Sequence, residues 1–203
     1  MAQYVDARVS RRKFGREIRE FRARAVDYRA RGWFLVDASF PKCVIVMAAA
    51  QITPPAIVTG VAFDYTNYDA IPPSVQLVNP FTFEPYLAKD LPIRLDRDMT
   101  PENAAIQLPP GMPQPKFLQP YMQWQSPDEI PFLCIAGVRE YHEHPAHSGD
   151  AWELHRASGA GRLIRLLTII SRYGPEAVSQ YQSQVQLLAR VVGFQVEAPR
   201  EAQ

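Results

Sequence analysis

Between Trp33 and Val78 four apolar runs follow one another, separated by prolines and short polar turns and by no helical stretch. Trp33 to Phe40 is rich in aromatic and apolar residues and is broken by Pro41-Lys42. Cys43 to Met47 is an unbroken apolar run suited to a central strand. Ala56 to Tyr65 comes after Pro54-Pro55, and Ser74 to Val78 comes after Pro72-Pro73. Parallel strands need long crossovers, so strands joined this closely must form an antiparallel meander.

Helices are expected on both sides of that sheet. From about Ala7 to Arg31, Phe14, Ile18, Phe21, Ala25 and Tyr28 recur at four- and three-residue steps, and Gly32 supplies the stop. Gly161 to Tyr173 is a second amphipathic stretch, with Leu163, Leu166, Leu167 and Ile170 on one face and Gly174-Pro175 as its end. Pro175 to Val192 reads as a third helix, striped by Val178, Tyr181, Val185, Leu188 and Val192. Between Asn79 and Glu129, closely spaced prolines forbid long regular elements. That passage is expected to wrap the sheet, with a short helix near Thr100 to Ala105, and Phe81, Phe83, Tyr86, Phe117, Tyr121 and Trp124 argue that it packs and is not a flexible linker. The fold class is therefore α+β, in one domain over residues 1–203. Its parts are a helix over 8–31, a sheet over 33–78, a Pro-rich loop region over 79–133, an active-site segment over 134–152 and helices over 161–192.

Composition narrows the setting. Cys43 and Cys134 are the only cysteines, too few for a secreted disulfide scaffold, so a reducing cytoplasm is the simpler compartment. The longest apolar run, Val44 to Ala50, is too short to span a bilayer, and no signal-peptide pattern opens the chain. Net charge is +1, yet Arg8, Arg11, Arg12, Lys13, Arg16 and Arg19 crowd the first helix. Such a surface suits an acidic protein, a nucleic acid or plain solvent. Nucleic acid is the weakest of these, because few aromatics share the charged face and no binding motif accompanies it.

Chemistry concentrates between Cys134 and His147. Cys134 sits in a Phe-Leu-Cys-Ile context that equally suits a core residue, whereas Cys43 lies inside a strand run and is expected to be inert. Glu140, His142, His144 and His147 follow within Arg-Glu-Tyr-His-Glu-His-Pro-Ala-His. Histidine exchanges protons near neutral pH, so a histidine folded back over a thiol can assist acyl transfer. The same Cys, Glu and His set also offers sulfur, carboxylate and imidazole donors that zinc accepts. His142 and His144 alternate as on a strand, and His144 and His147 match a helical turn, but no Cys-x-x-Cys pattern is present. His155, beside Trp152, reads as a structural residue.

The order of elements resembles that of ubiquitin-conjugating (E2-like) enzymes. Phe63 to Val75, with Tyr65, Pro72 and Pro73, is similar to the family's Tyr-Pro-x-x-Pro-Pro stretch between its third and fourth strands. Leu133-Cys134-Ile135, followed by Trp152 and a helix, is similar to the context of its catalytic cysteine. Asn79-Pro80 lacks the histidine of the family's His-Pro-Asn. A Cys followed by Glu and several His resembles instead bacterial E2-like proteins from ubiquitin-like conjugation and antiphage defence operons. The resemblance implies a UBC fold and a thioester with a ubiquitin-like protein on Cys134. It further implies an E1-like activating enzyme as donor, a lysine of a target protein as acceptor, polar assistance from Glu140, His142, His144 or His147, and no cofactor. It also implies that the first helix engages the E1, with Phe14, Ile18 and Phe21 as anchors and Arg12, Arg16 and Arg19 outward. Zinc binding or metal-dependent hydrolysis by the same cluster, and a non-catalytic scaffold, are the competing functions.

Overall fold

The structure, a computed structural model, describes residues 4–99 and 117–180. A four-stranded antiparallel sheet in the order β1-β2-β3-β4 forms its centre: β1 Trp33–Ser39, β2 Lys42–Ala49, β3 Ala56–Asp64 and β4 Ser74–Val78. The meander and its strand bounds agree with the apolar runs to within two residues at each end. A register shift between Leu35 and Asp37 places one extra residue in β1.

Two helical segments precede the sheet, α1 Ala7–Ala23 and α2 Ala25–Ala30, where one helix to Arg31 was expected. The break is at Arg24 (φ −118°, ψ 26°). Beyond it Tyr28 turns into the sheet and lies between Phe21 and Trp33, at ring distances of 4.8 and 5.1 Å. Gly32 ends α2 at φ 83°, and any Cβ there would meet the Ala48 carbonyl oxygen at 2.4 Å, so the tight turn into β1 requires glycine.

One face of the sheet is covered by α1 and by α5 (Leu163–Tyr173). Phe14, Ile18 and Phe21 meet Ile45, Met47, Val61 and Phe63 there, with Leu163, Leu166, Leu167 and Ile170 completing the core. Polar contacts fix the two helices against each other and the sheet. Buried Glu17 accepts the Leu163 backbone N–H at 3.2 Å, satisfying one of the donors that Arg162, the N-cap, leaves without a side-chain partner. Inside the core, Trp33 Nε1 donates to Ser171 Oγ at 2.8 Å.

The Pro-rich region carries two short ribbons, β5 Asp96–Asp98 with β6 Leu118–Pro120, and β7 Met122–Gln123 with β8 Phe132–Leu133. Its aromatics divide. Tyr86, Tyr121 and Trp124 pack on the core, whereas Phe81, Phe83 and Phe117 are exposed, so the packing expected of this passage rests on three of the six aromatics. Phe81 and Phe83 stand on a tight turn whose backbone N–H groups bond to Asn79, so local hydrogen bonds hold this tip without burial. After α5, Pro175–Ala177 is a single 3-10 turn and Val178 is extended, so no helix starts at Pro175. The remainder of that expected helix, and the one near Thr100 to Ala105, fall outside the described residues. Among the described residues no helix is long and apolar enough to cross a membrane.

Candidate active site

Cys134 lies just beyond β8, at the centre of a tight turn in which Ile135 N–H donates to the Leu133 carbonyl at 2.8 Å. Leu133 and Ile135 are 1% and 4% exposed, whereas Cys134 between them is half-buried. Its own N–H donates to the Tyr121 carbonyl at 2.7 Å, which pins the end of β8 against the neighbouring strand. Cys43, by contrast, is fully buried in β2, and burial pushes its thiol far above the ordinary range. Burial also raises the Cys134 pKa, so the resting group is a thiol and no neighbouring cation lowers it as a cysteine nucleophile would ordinarily require.

Beyond Cys134 the chain turns at Gly137 into α3 (Arg139–Glu143), a 3-10 turn (Pro145–His147) and α4 (Trp152–Arg156). Gly137 has φ 102°, and a Cβ there would lie 2.4 Å from the Ala160 carbonyl, so this turn too needs glycine. The fold brings His147 back to the thiol: Nε2 lies 3.3 Å from Cys134 Sγ. The His147 ring rests face to face on Tyr141, with centroids 4.0 Å apart and planes 25° from parallel.

The other predicted residues take different positions. His142 has both ring nitrogens engaged by backbone, Nδ1 donating to the Asp150 carbonyl at 2.8 Å and Nε2 accepting from Gly137 N–H at 3.0 Å. That pair of bonds fits only a neutral ring, and burial lowers its pKa accordingly. His144 Nδ1 accepts from the Ala146 N–H at 3.2 Å, and the ring stacks on Phe132 at 4.9 Å. Glu140 is turned to β4, where it accepts the Ser74 hydroxyl. Asn79 is committed to its own turn, its side-chain oxygen accepting from Phe81 N–H at 2.9 Å and Thr82 N–H at 3.2 Å.

Zinc does not fit this arrangement. Among the described residues no three His, Cys, Asp or Glu groups converge as a metal would need, and His142 has no lone pair left to offer.

Three residues that matter here were not singled out in the sequence. Tyr141 supplies the platform for His147 and donates its hydroxyl to Asp150 Oδ2 at 2.5 Å, which with burial lifts the phenol to about 12. Asp150 accepts from His155 Nε2 at 2.5 Å on its other oxygen, and these bonds hold its pKa below the ordinary carboxylate value. Arg139, 5% exposed, donates to the carbonyls of Pro72, Asp64 and Thr66 at 3.3, 3.2 and 3.0 Å, fastening the site segment to the β3–β4 connection. A tyrosine inside the histidine-rich run and an aspartate just ahead of Trp152 were the only advance signals.

A model of the Y4jH family matches residues 5–178, which includes the whole Cys134–His147 segment and the elements that position it. The chain belongs to the Y4jH family. It is 43% identical over 187 residues to the protein y4jH of Sinorhizobium fredii (strain NBRC 101917 / NGR234), a match that covers 91% of each chain. The family match thus spans α1, the meander and the site segment of this Y4jH-family chain and is not confined to an isolated motif.

His142 gives the site a pH dependence with a definite sign. Its pKa is lowered from 6.5 on folding, so its contribution to stability is complete above about pH 6.5 and is lost as pH falls through the lower folded value. Asp150, lowered from 3.8, acts in a separate and more acidic window. Thermal midpoints measured from about pH 7 to about pH 5 are expected to fall more steeply for the wild type than for His142→Gln. Parallel curves would assign the acid sensitivity to other groups.

Proposed function

We propose that this protein is an E2-like carrier with a UBC-type fold, holding a ubiquitin-like protein as a thioester on Cys134 and passing it to an amine. The observation that carries the reading is the 3.3 Å approach of His147 Nε2 to a half-buried thiol just beyond β8. The sequence resemblance described above, the helix-then-meander order and the buried Trp152 beyond the cysteine are consistent with it.

Loading begins with Cys134 Sγ attacking the carbonyl carbon of an E1-bound thioester. The S–H proton passes to His147 Nε2, which compensates for a thiol that is protonated at rest. The tetrahedral intermediate then expels the E1 sulfur, which takes up the proton. In the second transfer an amine, typically of a lysine, attacks the Cys134 thioester. The amine gives up a proton to His147, the C–S bond breaks, and the departing Cys134 sulfur recovers that proton. The outward Arg12, Arg16 and Arg19 of α1 present an E1 docking face, with Phe14, Ile18 and Phe21 as its buried supports. Free thiols at Cys43 and Cys134 suit a reducing cytoplasm.

The test is loading. The wild-type protein is incubated with an E1-like enzyme, its ubiquitin-like protein and ATP, and the adduct is resolved without reductant. A thiol-sensitive adduct whose linkage maps to the Cys134 peptide is the expected result. Firm binding of the ubiquitin-like protein with no covalent adduct would replace the carrier by a scaffold.

A further inference from the structure

We infer that Asp150 is a positioning residue, holding the His147 imidazole on Cys134 through the ring of Tyr141. The inference rests on the Cys134–His147 reading. Asp150 grips the His147 residue from two directions. Its backbone N–H donates to the His147 carbonyl at 2.9 Å, fixing the end of the 3-10 turn. Its Oδ2 accepts the Tyr141 hydroxyl at 2.5 Å, which anchors the outer end of the phenol ring on which His147 lies at 4.0 Å.

The remaining atoms of Asp150 are themselves tied down. Oδ1 takes His155 Nε2 at 2.5 Å, and the backbone carbonyl takes His142 Nδ1 at 2.8 Å. His142 in turn holds Gly137 N–H, on the turn that follows the nucleophile. Asp150 therefore reaches both ends of the Cys134–His147 pair, the thiol end through its backbone carbonyl and the imidazole end through its carboxylate, although it touches neither reacting atom. A ring held only by a stacking face can slide in plane, and a hydrogen bond from the platform's hydroxyl to a fixed acceptor removes that freedom. Asparagine at this position removes the charge and keeps one acceptor oxygen, so it meets the Tyr141 hydroxyl and a donating His155 Nε2 less well than the carboxylate does.

Alkylation of Cys134 by iodoacetamide reads the pair without any E1 or ubiquitin-like protein. Rates are measured on the full chain from about pH 6 to about pH 9, with the modified peptide identified by mass. The wild type is expected to be alkylated faster near pH 7 than His147→Ala. Asp150→Asn and Tyr141→Phe are each expected to lower the rate near pH 7 by about five-fold and to move the pH profile towards that of His147→Ala. In the His147→Ala background neither change is expected to lower the rate further. Equal losses with and without His147, or unaltered pH profiles, would overturn the positioning role. A wild-type profile identical to that of His147→Ala would instead overturn the reading of the pair itself.

Discussion

Cys134→Ala is expected to abolish the thiol-sensitive adduct, and His147→Ala to slow its formation by about 10²- to 10⁴-fold, the range a positioned general base supplies. Burial keeps Cys134 protonated, so little thiolate exists before the acyl donor arrives, and His147 Nε2 at 3.3 Å is within reach of its proton. Raising the pH should recover part of the His147→Ala loss, because solvent then removes the proton. Single-turnover loading measured across pH checks both statements. A variant lacking His147 that loads at the wild-type rate at every pH would show that the proton leaves by another route.

Arg139→Leu is expected to cost about 2–5 kcal/mol of folding stability, because three backbone carbonyls lose a charged donor and a buried acceptor left unmet costs about 1–3 kcal/mol. Leucine fills similar space but leaves the carbonyls of Pro72, Asp64 and Thr66 without the donor that reaches them from Arg139. Arg139→Lys should lose less, since an ammonium can follow the same course yet lacks the planar fork that meets several carbonyls together. Urea unfolding of the three proteins checks the order. A leucine variant within about 1 kcal/mol of the wild type would mean that water satisfies these carbonyls.

The fold was legible where period and punctuation agree. The strands of the meander and the stripe of α5 announce themselves through apolar runs bounded by proline and glycine, because burial on one or both faces dictates composition directly. Helix continuity was less so: nothing about Arg24 in the sequence marks a break, which arises from Tyr28 seeking Phe21 and Trp33. Within the site, residue type identified Cys134 and a group of histidines but could not rank them. His147 meets sulfur and His142 meets backbone because of where α3 and the following turn point each ring, a tertiary outcome. Glu140 was read with the histidines from proximity in the chain, yet it faces Ser74. Tyr141 and Asp150 escaped notice because their importance lies in what they support.

Arg139 recognises oxygen atoms of the main chain and no side chain of the segment it grips. The residues at 66 and 72 can therefore change identity through evolutionary drift without altering the hydrogen bonds that suspend the Cys134–His147 segment, provided the backbone path survives, whereas the Asp64 carboxylate also accepts the Thr66 N–H at 2.8 Å and is less free. Arg139 itself has no such latitude. Within this lineage, diversification of the β3–β4 connection is separable from retention of the Cys134–His147 geometry, and a library randomised at positions 66 and 72 should retain more well-folded variants than one randomised at position 139.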